Sequence, residues 1–171
     1  ATPIYEGETY ADFGVGGNVR VTAGDLVAIS GAGFYTVNGT TSNGGTIRTG
    51  TSGTTSVFTG GVTNDGTFDF ATNAGNPVTF QGTFANNATG QVTCGSGAVD
   101  FGDAAADTVT NAGTVDTGGG TVDFYGNVEN SGNINIAGTG LVIFRDTYGA
   151  VTSTGTVAMQ STGNVRFIGN A

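Results

Sequence analysis

Residues Thr114 to Gly132 read TVDTGGGTVDFYGNVENSG, three short β-type pieces each closed by a small-residue turn. Thr114-Val115-Asp116-Thr117 ends at Gly118-Gly119-Gly120, Thr121-Val122-Asp123-Phe124 ends at Tyr125-Gly126, and Asn127-Val128-Glu129-Asn130 ends at Ser131-Gly132. Each piece alternates at the strand period of two, and each turn carries Gly or Asn. The same three-piece unit recurs along the chain at a period of roughly 20 residues, the mark of a solenoid.

Working outward, the unit starts again at Thr46, Thr67, Gln91, Asn133 and Thr156. Its columns align. One side carries Val19, Ile47, Phe68, Val92, Val115, Ile134 and Val157. The next carries Ile29, Phe58, Phe80, Phe101, Phe124, Phe144 and Phe167, with Val27, Ser56, Val78, Val99, Val122, Val142 and Val165 two residues earlier. Residues two apart share a face of a strand, so these columns stack as apolar ladders inside a tube. The residues between them (Arg48, Asp69, Thr93, Asp116, Asn135, Ala158) are mostly polar and face water. Asn64, Asn86, Asn111 and Asn130 recur at one corner, where Asn tolerates a left-handed turn and bonds to its neighbours. An antiparallel sandwich also has short strands and Gly turns, but columnar identity favours the solenoid. The fold expected is all-β: a three-sided, parallel, right-handed β-solenoid of about seven coils over residues 18–171. Its first coil is read as Asn18–Val21, Asp25–Ile29 and Phe34–Asn38.

Composition narrows the function. The 171 residues include no Lys and no His, four Arg and thirteen acids, for a net charge of -9. Nucleic acid and anionic membranes need a basic surface, so neither is expected as a partner. No apolar run approaches the ~20 residues of a membrane helix. The start at Ala1-Thr2-Pro3 without Met is compatible with a processed secretory protein, and an extracellular or cell-surface location is expected. Cys94 is alone, so no internal disulfide forms, and its inward column with Val21, Thr49, Phe70, Thr117, Ile136 and Met159 makes it a buried small hydrophobe.

Little in the chain suggests catalysis. Without His or Lys the commonest general base and amine nucleophile are missing, and no enzyme is expected. Asp100 and Asp123 occupy equivalent outward positions on adjacent coils, ~5 Å apart at Cβ. The pair suits a Ca²⁺ ion or an acid/base role, against the simpler reading of two solvated acids splayed apart, which is preferred; no cofactor is otherwise expected. Asn38-Gly39-Thr40 and Asn87-Ala88-Thr89 match a glycosylation acceptor pattern that an Asn- and Thr-rich chain reaches by chance. A flat Thr ladder that binds ice is not expected, because the column of Arg48, Asp69, Asp116 and Asn135 is mixed and charged.

The two ends carry the functional expectation. Residues 1–17 do not fit the repeat and read as an arm with apolar Ile4, Tyr5, Tyr10, Phe13 and Val15. The last coil holds Val157, Met159, Val165 and Phe167 but lacks a third side. Neither terminus offers a capping helix, so the arm is expected to dock into the open coil of a neighbour. Head-to-tail contacts of that kind propagate.

The V-x-N-x-G turns at Val62–Gly66, Val109–Gly113 and Val128–Gly132, with their V-x-F strands, resemble the β-strand repeats of secreted bacterial surface proteins. Autotransporter-like adhesins and self-assembling surface filaments contain such repeats. The resemblance covers residues 18–171 and implies a right-handed β-helix, a bacterial cell-surface or extracellular location and a structural role without catalytic residues. For filaments of that kind it further implies subunits joined by donor-strand exchange. The expected function is thus a filament subunit with itself as partner. A surface adhesin that binds glycan or Ca²⁺ is the alternative, and a polysaccharide-active β-helix enzyme comes third.

Overall fold

A computed structural model of the chain describes residues 9–10, 13–29, 33–49, 54–72, 77–104, 106–145, 150–159 and 162–168. The strands run β1 (Thr9–Tyr10), β2 (Phe13–Val15), β3 (Val19–Val21), β4 (Leu26–Ile29), β5 (Gly33–Val37), β6 (Thr41–Asn43), β7 (Thr46–Thr49) and β8 (Thr54–Phe58). There follow β9 (Val62–Asn64), β10 (Thr67–Phe70), β11 (Val78–Phe80), β12 (Phe84–Asn86), β13 (Gln91–Cys94), β14 (Val99–Phe101), β15 (Thr108–Asn111) and β16 (Thr114–Thr117). The last are β17 (Thr121–Tyr125), β18 (Asn127–Asn130), β19 (Asn133–Ile136), β20 (Leu141–Arg145), β21 (Val151–Ser153), β22 (Thr156–Met159) and β23 (Asn164–Ile168).

Every third strand joins the same sheet. Sheet A takes β1, β4 and so on to β22, sheet B takes β2, β5 and so on to β23, and sheet C runs from β3 to β21. All pairings are parallel, and each coil passes from sheet A to sheet B to sheet C. The chain is therefore an all-β, three-sheet parallel solenoid, with no helix among the described residues.

The inward columns make the core. Phe58, Phe80, Phe101, Phe124, Phe144 and Phe167 stack at centroid separations of 5.0–5.2 Å and interplanar angles of 7–18°. Parallel strands in register carry each ring up by about one strand spacing of ~4.8 Å, so the rings must lie nearly parallel. Phe68, Phe70 and Phe84 pack against this stack from the other two sheets, all fully buried.

Sheet C contributes a polar ladder. Asn43 donates from Nδ2 to Asn64 Oδ1 at 2.8 Å, Asn64 to Asn86 at 2.8 Å, Asn86 to Asn111 at 2.7 Å and Asn111 to Asn130 at 2.7 Å. Asn130 closes the series on Ser153 Oγ at 3.1 Å. Each amide also reaches a backbone carbonyl of the next coil, such as Thr67 O from Asn43 and Asn133 O from Asn111. Among the described residues no non-Gly residue has φ > 0. The asparagines therefore sit as inward strand residues, not as left-handed corner residues. Their burial is tolerated because nearly every amide group is paired.

The corner after sheet C is built of stacked glycines. A Cβ on Gly132 would fall against the carbonyl oxygen of Gly113, and one on Gly155 against that of Gly132. The coils approach too closely there for any side chain.

The first coil departs from the expected alignment by one side. Val19–Val21 lies in sheet C, opposite Thr41–Asn43, and Val27 and Ile29 pair with Ile47 and Thr49 in sheet A. Val37, not Ile29, precedes Phe58 in the aromatic column, and Ile29, not Val21, stands in the column of Cys94. The side that shifts the alignment is Thr41-Ser42-Asn43, an all-polar strand whose Thr41 and Asn43 are nonetheless buried.

Candidate functional site

The trailing coil and the interior coils have the same sequence pattern in different surroundings. Ile134, Ile136 and Phe144 are buried, whereas Val157, Met159 and Phe167, next in the same columns, are 39%, 54% and 68% exposed. Val165 is half-buried and packs against the core beside them. Among the described residues no strand pairs with the outer edge of β22 or of β23. All four residues expected at an open coil thus gather on one face of the tube, at the end of its aromatic stack. Burying a side chain of this size fully is worth roughly 1.5–3 kcal/mol, so the face favours a cover.

At the leading end Thr9–Tyr10 pairs with Ala28–Ile29, and Phe13–Val15 pairs with Tyr35–Val37. Tyr10, Phe13 and Val15, expected to stand apart in an arm over residues 1–17, thus lie in the first strands of sheets A and B of their own chain. A parallel edge left open by β4 and β5 is a template for the nearest extended segment, and these residues supply it. Ile4 and Tyr5 lie outside the described residues.

Asp100 and Asp123 are neighbours on the outer face of sheet B, as their spacing implied. Asp123 is only 4% exposed, and Arg145 of the next coil grips it with Nε at 2.9 and 3.0 Å and Nη2 at 2.6 Å. The Arg145 guanidinium also lies 4.9 Å from the centre of the Tyr125 ring. This two-oxygen fork supplies the cation that a lone acid pair would lack. Burial, and then the Asp123 charge, raise the Asp100 carboxyl above its ordinary range, with Arg145 pulling the other way. Asp123 is therefore already satisfied by Arg145, and among the described residues no group of three or more His, Cys, Asp or Glu could hold a metal ion. In the sequence Arg145 shows itself only when VDFY at Val122 is aligned with VIFR at Val142, which sets it directly opposite Tyr125.

Two shallow hollows of about 260 and 350 Å³ lie on the outer face of sheet C, lined mainly by small residues such as Thr110 and Thr152 in one and Ser42 and Thr63 in the other. Cys94 is buried, its thiol pushed up to about 12 chiefly by desolvation, so it is inert rather than nucleophilic. No helix among the described residues is long and apolar enough to cross a membrane. Comparison with protein-family models, curated proteins and solved structures finds no match for this chain.

Proposed function

We propose that the protein is a structural subunit that associates with itself end to end, building a thin extracellular filament. The observation that carries this reading is the trailing coil, beyond which no strand lies among the described residues. Val157, Met159 and Phe167 end columns that are buried in the coils before them, and no described strand pairs with the parallel edge beside them. The first coil of a second copy offers the matching parallel edge, and a contact between unlike ends repeats without limit. The acidic surface suits a role outside the cell, where the net charge of -9 keeps the free subunit soluble.

Electron microscopy and sedimentation of the purified chain test the reading. Fibres are expected with an axial repeat near 38 Å, the rise of eight-stranded sheets at ~4.8 Å per strand. Phe167→Asp should abolish them while leaving the subunit folded. A wild-type chain that stays monomeric at every concentration would overturn the proposal.

A further inference from the structure

The two ends of the chain match in phase. The first described strand, β1, belongs to sheet A and the last, β23, to sheet B. In the winding order A, B, C, one sheet C side remains between the β23 of one copy and the β1 of a copy stacked beyond it. The described strands fill eight places in sheets A and B and seven in sheet C.

Resting on the end-to-end reading above, we infer that subunits join in this phase. Sheet A continues into sheet A and sheet B into sheet B, and β1 and β2 remain on their own body. The register columns then run on from β22 and β23 of one copy into β1 and β2 of the next. Tyr10 shares the column that ends at Met159, Phe13 the column that ends at Val165, and Val15 the column that ends at Phe167.

The outer face agrees with this register. Its sheet B column starts at Gly14 and ends at the exposed Arg166, so the junction sets a glycine beside a guanidinium and leaves it room.

Paired cysteines read the phase directly. Within one chain, positions 14 and 166 are seven strand steps apart, ~34 Å, far beyond disulfide reach, while adjacent parallel strands fall within it. Oxidising Gly14→Cys/Arg166→Cys should give a ladder of covalent multimers. Pairing Gly14→Cys with Ala158→Cys on sheet A, or with Thr152→Cys on sheet C, should not. Tyr10→Cys with Met159→Cys reports the same phase on sheet A, should the Gly14 variant fold poorly. Filaments that link through either control pair, or through neither in-phase pair, would overturn the phase and leave end-to-end assembly standing. Absence of both filaments and links would overturn the two together.

Discussion

Phe144 and Phe167 are consecutive rings of one column, 5.2 Å apart and 14° from parallel, yet one is 2% exposed and the other 68%. Nothing local distinguishes them. Both follow a V-x-F pattern in a five-residue strand of sheet B, in register. The difference is the coil above: β23 covers Phe144, and no described strand covers Phe167. In a solenoid each coil stabilises its neighbours, so identical sequence yields interior or interface according to position.

The comparison is most severely tested by truncating the two rings in turn. Phe144→Ala should lower unfolding free energy by about 3–5 kcal/mol, and Phe167→Ala by less than about 1 kcal/mol in the isolated subunit, as read by denaturant melts. Equal losses would show that the trailing coil is covered in the free chain. If fibres form, the loss at Phe167 should rise with protein concentration, because assembly buries it.

Next in size is the polar counterpart of the ring column. Asn111→Leu leaves the Oδ1 of Asn130 without its donor and removes an acceptor from Asn86. A loss of about 2–3 kcal/mol is expected, and a variant as stable as the parent would show that the ladder contributes no stability. On the outer face, Arg145→Met strands the buried Asp123 carboxylate. Because the Arg145 side chain is 29% exposed, the expected loss is discounted to about 1–3 kcal/mol, again by chemical melt.

The smallest effect concerns Asp100, and its sign follows from linkage. A carboxyl raised in the folded state binds its proton more tightly there than when unfolded. Stability therefore falls as pH rises from the ordinary carboxylate range, ~3.9, through the raised folded value. Asp100→Asn removes that penalty. Because Asp100 is only partly buried, solvent screening holds the gain at pH 7 to below about 1 kcal/mol, and it should vanish as pH drops below 4. Thermal melts at both pH values check it; a gain that grows on acidification would reverse the assignment.

Legibility in the sequence followed repetition. The V-x-F and V-x-N pieces from Thr46 onward align by eye, and their registers hold residue by residue, because an inward column tolerates few changes. The first coil was misplaced by one side because Thr41-Ser42-Asn43 has no apolar residue to announce a strand. The one available sign was Asn43, set 21 residues before Asn64 in the ladder that buries both. At the candidate site, Val157, Met159, Val165 and Phe167 were legible as the end of the columns. The Arg145 fork on Asp123 was not, since it joins residues two positions out of column across adjacent coils.

Sequence alone determined the period, the inward columns and the acidic, His-free surface, since each depends on residue type at fixed spacing. Tertiary structure decided the rest. Winding set which sheet the first strands enter, and stacking turned isolated asparagines into one bonded ladder. The next coil seals Phe144, and among the described residues no coil covers Phe167. The reason is physical: a strand's alternation is written in its own residues, but burial is conferred by whatever lies one strand spacing away.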